Sequence, residues 1–480
     1  MSLPGPLFIV GALLAVGVVL QVLRRFTGVM AWLAAAVSAM IGVVVAVVPL
    51  DEALTIGPLT VLLGEPLTFL GRAAVIEPVD RLPIMMITFT ATALFVLAWR
   101  LLPHSNFFPV GLAILAFLAS ALMVEQVVYA ALLMEMAAIL TVFPLHEPII
   151  DDEGNRYGGS ARGGLQYMSY VTLALPGLMV TQLFLEQFAI FPSDTSLLRS
   201  ATTLLALSFA LLLGAVPFQA WLSSVATDGS PPVVTFLFTV NLGTVWFLLL
   251  AYLESYSWLS DQVAFGSLFT TVGLIMMVAG GALAAAQNRL GRLVGYATLV
   301  DNGAMFLALG TRQATGLALT VLMLMARPLA LGLMTLGLDG LRRFNQGDDR
   351  LATMIGAAWV VPWRTLAFVL GGVAMAGFPL SLGFAARWGL YRLLAEANVF
   401  QAVFALLGSA GVMMGLVNAT RVLLSSAESR AEAIALRRED PVVLVLILAL
   451  FAGTILLGVF PQLVSQVAVQ MAEGFTFFVQ

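Results

Sequence analysis

The sequence predicts an all-α, polytopic membrane protein with about fourteen transmembrane helices. Hydrophobic residues make up 61% of the 480 residues and charged residues only 10%, whereas a soluble domain is about one quarter charged. Apolar runs of about 20 residues, long enough to cross the hydrocarbon core, recur from one end of the chain to the other. We therefore expect a single membrane domain over residues 1–480 and no soluble domain.

The boundaries of these runs give the predicted topology. The twelfth run is too long for one straight helix, so we expect it to be broken. Residues 55–79 are apolar but rich in Gly and Pro, which predicts a surface hairpin rather than a span. The predicted spans are residues 6–24, 29–50, 81–102, 107–124, 126–145, 164–187, 199–222, 230–253, 264–286, 290–311, 314–340, 358–394, 398–424 and 441–462.

The composition also limits the chemistry of the protein. Cys is absent, which excludes disulfides, thiolate metal sites and iron–sulfur ligation. The two histidines, His104 and His146, fall in predicted loops, which disfavours a haem buried between helices. We therefore expect no cofactor, no metal and no catalytic residue, and any redox chemistry would belong to a partner. A net charge of −4 gives no reason to expect a nucleic-acid partner.

Arginine placement predicts the orientation in the membrane. All 22 basic residues are Arg, and cytoplasmic loops of membrane proteins are enriched in positive charge. With an even number of spans, most of these arginines lie in the loops opposite the termini. The termini should then be periplasmic in an inner (plasma) membrane. The arginines assigned to the cytoplasmic side include Arg24, Arg25, Arg156, Arg162, Arg289, Arg292, Arg342, Arg343, Arg437 and Arg438.

The seventh and twelfth spans share a Gly–Pro pattern. Pro217 follows Gly214 in one span and Pro379 follows Gly377 in the other, about 160 residues apart. Proline removes a helical hydrogen bond, and broken helices at matching places in two halves are typical of a transport pathway. Two unrelated helix kinks would be the simpler explanation.

Two acidic residues occupy the centres of predicted spans. An ionisable group there costs about 2.5–3.5 kcal/mol on insertion scales, so each needs a reason. Glu135, in the fifth span, could exchange protons or could form an ion pair with an Arg of a neighbouring helix. Asp301, in the tenth span, could be its counterpart in the second half or part of a capped helix break beside Gly303.

Two arginines also fall inside predicted spans. Arg327 precedes Pro328, and because guanidinium stays protonated it suits an ion pair with Asp301 or Glu135 better than a proton relay. Arg387 follows the Pro379 break and could be a fixed charge at the end of a pathway or a lock to a neighbouring subunit. Arg364 lies near a span end and should snorkel towards the headgroups.

Several stretches resemble the antiporter-like, proton-channel membrane subunits of respiratory complex I (NADH:quinone oxidoreductase), which have relatives among Mrp-type cation/proton antiporters and membrane-bound hydrogenases. The similarity covers roughly residues 80–425 and is specific as a set. The stretches are Leu133–Met136, Gly214–Leu222, Ser230–Val234, Asn288–Ala297 and Ala376–Leu380.

The resemblance implies a domain organisation and a location. It implies two peripheral helices with the hairpin at 1–80, two inverted five-helix repeats at 107–253 and 264–424, and a last helix and tail at 425–480. It also implies broken seventh and twelfth helices and partners among the other membrane subunits of a complex I-like or related assembly, within the lipid bilayer.

The sequence departs from the family at the residues that move protons. The family's mid-membrane row usually runs from a Glu in helix five through Lys or His residues to a Lys or Glu in helix twelve. Glu135 matches the first and Arg387 keeps a charge at the last position. The intermediate positions fall at Leu212, near Leu242 beside Asn241, and near Leu331, and the His usual after the Pro-Phe pair is Gln219.

Three hypotheses follow from these departures. The first is a subunit that translocates protons, coupled to electron transport, by a rerouted path through Glu135, Asp301, Asn241 and water. The second is a subunit of the same assembly that keeps the fold for structure or coupling without conducting. The third is a stand-alone antiporter in which Glu135, Asp301 and Asn302 bind Na⁺ or a proton, since carboxylate and amide oxygens suit a hard cation. The missing lysines favour the second hypothesis over the first.

Overall fold

The structure is a computed structural model of the full chain. It describes residues 2–56, 59–69, 72–102, 105–150, 156–157, 159–256, 263–425, 439–475 and 477. His104, Arg437 and Arg438 lie outside the described residues. The sequence predicts a loop at His146, but His146 is the last residue of a helix.

Long apolar helices form the first half of the chain. They are α1 (Gly5–Val22), α2 (Thr27–Val47), α3 (Arg81–Leu101), α4 (Phe107–Met123), α5 (Val127–His146), α6 (Ala161–Ile190), α7 (Thr195–Leu212), α8 (Ala220–Asp228), α9 (Pro231–Phe236) and α10 (Leu242–Ser255). A π-helical turn, Leu237–Asn241, joins α9 to α10, so that residues Pro231–Ser255 form one continuous helical span.

The second half continues in the same way. Its helices are α11 (Val263–Ala285), α12 (Leu290–Gly310), α13 (Ala314–Phe344), α14 (Ala357–Val360), α15 (Pro362–Met375), α16 (Leu382–Ala397), α17 (Val399–Leu424), α18 (Pro441–Val459) and α19 (Gln462–Glu473). Side-chain caps fix several helix starts, because Ser381, Asn398 and Asp440 each accept a bond from a backbone N–H of the first turn.

The helix lengths confirm a multi-pass, all-α membrane protein. Within the described residues, 12 helices are long and apolar enough to cross a bilayer, and Phe107–Met123 is an additional apolar helix just below that length. The pair α15 and α16 covers the twelfth predicted span in two pieces. The expected number of about fourteen spans is not confirmed and stays a prediction.

Both predicted helix breaks are present. The seventh span stops at Leu212 and resumes at Ala220, and Gly214 lies between them with φ +64. The twelfth span stops at Met375 and resumes at Leu382, and Gly377 has φ +78. Glycine adopts this left-handed conformation without the clash of a Cβ atom, which explains the glycine of each Gly–Pro pair. The proline of each pair removes a helical hydrogen bond.

Short strands form the segment that precedes α3. Ala53–Ile56 pairs antiparallel with Leu59–Leu62, and Leu67–Phe69 pairs antiparallel with Arg72–Ala74. Strand Ser2–Pro4 adds in parallel to Leu59–Leu62. The turn-rich segment is therefore a hairpin region, as its Gly and Pro content predicts. A further two-residue ladder pairs Ile149–Ile150 with Arg156–Tyr157.

The chain divides into two compact units. Unit 1 comprises Met1–Pro144, Gly164–Leu213 and Phe236–Tyr256, and unit 2 comprises Leu145–Gly163, Gly214–Thr235 and Ser257–Gln480. In unit 2, α11 packs on both α12 and α17. At the α11–α17 crossing Gly281 lies against the backbone of Gly408 so closely that a Cβ atom would overlap it, which is the small-residue packing common in membrane helices. The predicted repeats at 107–253 and 264–424 stay a prediction.

Candidate charge sites in the membrane-spanning helices

The most complete charge site lies in unit 2, where one carboxylate is held by two arginines. Asp301 of α12 accepts a bond at Oδ2 from Arg327 Nε at 2.8 Å and one at Oδ1 from Arg387 Nη2 at 2.9 Å. Arg327 comes from α13 and Arg387 from α16, just after the break in the twelfth span. All three side chains are buried. We call this set the Asp301 clamp.

Polar neighbours satisfy the remaining donors of the clamp. Arg327 Nη2 donates to Asn302 Oδ1 at 2.6 Å, and Arg387 Nη1 donates to Ser409 Oγ at 3.2 Å. The cavity beside the clamp has a volume of about 10 Å³, room for about one water molecule. The clamp is therefore closely packed and built from groups that are already bonded to one another.

The Asp301 clamp decides between the alternatives that the sequence left open for Asp301, Arg327 and Arg387. The predicted ion pair between Arg327 and Asp301 is confirmed. Helix α12 runs unbroken from Leu290 to Gly310, so the capped helix break beside Gly303 is wrong. Arg387 is only 1% exposed and bonds within its own chain, so a lock to a neighbouring subunit is also wrong. A role for any of the three in an ion pathway stays a prediction.

A site of different character surrounds Glu135 in unit 1. Thr172 Oγ1 of α6 donates to Glu135 Oε1 at 2.6 Å, and the buried Oε2 atom has no hydrogen-bond partner. Among the residues that the structure describes, no arginine pairs with Glu135, so the ion pair expected as the simpler alternative is wrong. The carboxylate is thus held by a hydroxyl and keeps one oxygen available.

Asn241 lies within the same unit on the π-helical turn. Its Nδ2 donates to Thr141 Oγ1 of α5 at 3.1 Å and to Tyr167 OH of α6 at 3.4 Å, while its buried Oδ1 has no partner. The sequence gives no sign of the π-helical turn, a feature that is frequent at functional sites. Tyr167, Thr141 and Asn241 are buried, whereas Glu135 is partly exposed and Thr172 is exposed. The set therefore combines neutral polar groups with a single acid, and it extends from the interior of unit 1 to its surface.

The positions where the resemblance implies titratable residues are apolar and buried. Leu212 is 3% exposed, Leu242 1% and Leu331 0%. Leucine neither carries a proton nor holds water, so the usual row of charges is interrupted at each of these points. Gln219, in place of the usual His, has a buried Oε1 atom without a partner.

Two further buried acids in unit 2 were missed by the sequence analysis. Asp339 is fully buried and accepts from Arg343 Nε at 2.8 Å and Arg364 Nη1 at 3.2 Å. The expectation that Arg364 snorkels to the headgroups is therefore wrong. The spacing of Asp339 and Arg343, four residues apart on one helix, was the available sequence signal.

Asp349 is the other buried acid, and it belongs to a latch around the end of α8. Arg342 donates to the carbonyls of Ala226, Thr227 and Gly229 at 2.8, 2.9 and 2.8 Å, and to Asp349 Oδ2 at 3.1 Å. A cation at a helix C-terminus satisfies free carbonyls and matches the helix dipole. The placement of Arg342 in a loop is wrong, because it lies in the last turn of α13 with its side chain only 5% exposed; the side of the membrane stays a prediction.

Broken helices that carry buried charges define a polytopic membrane protein of the antiporter-like class. Residues 167–414, just over half of the chain, match the family described as NADH:quinone oxidoreductase/Mrp antiporter, TM. The chain belongs to this family, which confirms the resemblance read from the motifs.

Sequence and structure comparisons agree with this membership. The NADH-quinone oxidoreductase subunit N of Methylococcus capsulatus is 26% identical over 226 residues, which cover 46% of this chain and 45% of the relative. The chain spans about half the length of the curated relatives it matches.

Solved structures resemble the whole chain. A chain of the Mrp complex from Dietzia sp. superposes with a TM-score of 0.73 at 16% identity, covering 98% of this chain and 95% of that one. A chain of respiratory complex I from Thermus thermophilus with bound NADH gives 0.71 at 16% identity, with 98% and 100% covered. At such identities the likeness shows the fold alone.

Proposed function

We propose that this chain is a membrane subunit of a complex I-like or Mrp-like assembly that takes part in proton translocation through unit 1, around Glu135. In unit 2 the Asp301 clamp acts as a fixed-charge lock rather than a relay. The observation that carries the proposal is that both oxygens of Asp301 are bound by guanidinium groups, whereas Glu135 has no cationic partner among the described residues. The chain would work in the plasma membrane with periplasmic termini and alongside other membrane subunits.

The chemistry of the clamp supports a lock. Arginine does not release its proton at any accessible pH, and Asp301 accepts a hydrogen bond from a guanidinium group at each of its two oxygens. A proton relay needs a group that changes protonation state during turnover. Neither Arg327 nor Arg387 meets that condition, and a proton placed on Asp301 would displace one of its guanidinium partners.

The same geometry disfavours a cation site. A sodium ion would need the oxygens of Asp301 and Asn302, but these already accept from Arg327 and Arg387. Two guanidinium groups also repel a cation, and the adjoining cavity has room for about one water molecule. The third hypothesis is a stand-alone antiporter in which Glu135, Asp301 and Asn302 bind Na⁺ or a proton. Its Asp301 and Asn302 part is therefore disfavoured, which leaves this hypothesis the least supported.

The surroundings of Glu135 support proton exchange. Glu135 can take up a proton at Oε2, because no donor among the described residues binds this carboxylate oxygen. Glu135 Oε2 and Asn241 Oδ1 are both buried acceptors without a partner, and such atoms are usually satisfied by water or a proton. Tyr167 of α6 and Thr141 of α5 supply hydroxyl groups next to Asn241. The proposed proton route would therefore pass through neutral groups and water instead of lysines.

A non-conducting coupling subunit is the second candidate. It is favoured by Leu212, Leu242 and Leu331, which are buried where the family resemblance implies titratable side chains. In that case the fold would serve for structure or conformational coupling within the assembly.

Proton uptake into proteoliposomes that contain the intact assembly separates the two candidates. Glu135→Gln should lower the number of protons taken up per turnover at matched assembly, because glutamine keeps the shape but cannot exchange a proton. Glu125→Gln, which changes an exposed acid in unit 1, is the matched control and should leave uptake unchanged. An unchanged stoichiometry in Glu135→Gln would make this a non-conducting subunit.

A further inference from the structure

Unit 2 contains a cleft lined by three arginines, of which only Arg289 also pairs with one of the buried acids described above, Asp349. Its volume is about 770 Å³, within the size range of small-molecule sites. The polar residues of this cleft, which we call the basic cleft, are Gln287, Asn288, Arg289, Arg292, Arg350 and Asn418. None of its lining residues is acidic.

The positive charge of the basic cleft is only partly neutralised. Arg292 is exposed and, among the residues that the structure describes, has no carboxylate partner. Arg289 is 3.7 Å from Asp349, which is bound more closely by Arg342 at 3.1 Å. Arg350 is 3.8 Å from Asp348, and because both side chains are well exposed that pair is weak. The cleft therefore presents guanidinium groups to an anion, and guanidinium matches phosphate oxygens in geometry.

The remaining walls of the basic cleft are apolar. Ile355 lines it and is 42% exposed, and Val422 lines it near the end of α17. Trp359, which is 58% exposed and does not line the cleft, donates its indole N–H to the carbonyl of Leu424, two residues after Val422, at 3.0 Å. Exposed tryptophans concentrate at the level of the lipid headgroups. The cleft thus combines a cationic side for a phosphate with an apolar side for acyl chains.

We infer that the basic cleft binds the phosphate group of an anionic phospholipid. Basic pockets between transmembrane helices bind such headgroups, and each arginine near the surface contributes about 1 kcal/mol of attraction. A soluble phosphate would use the same arginines but would gain nothing from the apolar side chains of Ile355 and Val422. The lipid would bridge α12, α17 and the segment after α13, all within unit 2.

Native mass spectrometry of the full chain in a neutral detergent tests this inference. The probes are dioleoylphosphatidylglycerol, dioleoylphosphatidylcholine and inorganic phosphate, titrated separately. We expect the wild type to retain phosphatidylglycerol in preference to phosphatidylcholine. Arg292→Gln should weaken phosphatidylglycerol binding about fivefold and Arg292→Gln/Arg350→Gln about 25-fold, because each arginine contributes about one such step.

Arg392→Gln is the matched control. Arg392 is an exposed arginine in the same unit, lining a separate cavity with Gln313 at the opposite end of α13, and its loss should leave the selectivity unchanged. Equal binding of the two lipids, or a double variant that binds like wild type, would overturn the inference. Displacement of the lipid by millimolar inorganic phosphate, with no dependence on acyl chains, would assign the cleft to a soluble anion and overturn the lipid assignment.

Discussion

The buried acids of unit 2 are paired with arginines, whereas Glu135 of unit 1 is bound by a hydroxyl group. In unit 2, Asp301, Asp339 and Asp349 each lie within 4 Å of two arginine nitrogens from different residues. In unit 1, Glu135 is held by the hydroxyl of Thr172. Arg81 of that unit donates instead to the carbonyls of Val45, Ala46 and Val48 and caps α2.

This difference separates two uses of buried charge. An acid between two arginines has a fixed charge and a fixed position, and it can be moved only with its helices. An acid held by a hydroxyl can change its charge without breaking an ion pair. The chain contains no lysine, so all 22 of its Lys and Arg residues are arginines. An arginine keeps its charge where a lysine could lose it. This contrast supports the proposal that unit 2 contains a lock and unit 1 an exchange site.

Removing the charge at the centre of the clamp should have the largest effect. Asp301→Asn leaves Arg327 and Arg387 buried without their counter-ion, and breaking a buried ion pair costs about 3–5 kcal/mol. The measurement is the thermal unfolding midpoint of the full chain in detergent, together with the amount assembled in the membrane. Glu396→Gln breaks the exposed pair with Arg392 and is the control, expected to cost about 1 kcal/mol or less. Equal stability of the two variants would show that the clamp is not a lock.

An intermediate effect is expected from the polar groups of unit 1. Asn241→Ala removes two interhelical hydrogen bonds, to Thr141 and Tyr167, and such bonds contribute about 0.6–1.7 kcal/mol each in membrane proteins. Thr141→Val removes the hydroxyl that accepts one of these two bonds. It should therefore lower the free energy of unfolding about half as much as Asn241→Ala in the same assay. A loss for Asn241→Ala as large as that for Asp301→Asn would erase the contrast between the two units.

The smallest effect concerns an acid of unit 1 outside the spans. Partial burial raises the pKa of Asp80 to about 7, with the nearby Glu77 carboxylate adding to the increase. A carboxyl whose pKa is higher in the folded state stabilises the fold at low pH, and this contribution is lost as the pH rises from about 4 to about 7.

Asp80→Asn should remove that part of the pH dependence. The change is expected to be about 1 kcal/mol or less, since the carboxyl is partly exposed to water. Unfolding midpoints of wild type and variant measured between pH 4 and pH 8 check it. Parallel curves for the two proteins would show that Asp80 does not titrate in this range.

Much of the fold could be predicted from the sequence. Hydrophobic runs placed the spans, because the thickness of the bilayer fixes the length of a helix that crosses it. The pairs Gly214–Pro217 and Gly377–Pro379 located both helix breaks, because proline removes a backbone bond and glycine accepts the resulting conformation. The sequence predicted that Arg327 pairs with Asp301 or Glu135, since a buried charge requires a counter-ion, and the structure shows that the partner is Asp301.

Only the tertiary structure decided which side chains meet across helices. Arg387, 86 residues from Asp301, completes the clamp, and Thr172 rather than an arginine binds Glu135. Asp339, at the end of the predicted span 314–340, and Asp349, between two predicted spans, are both buried and paired with arginines. The physical reason is that hydropathy and local residue preferences act within one helix, whereas the partner of a buried charge depends on helix rotation and crossing, which the packing of distant residues sets.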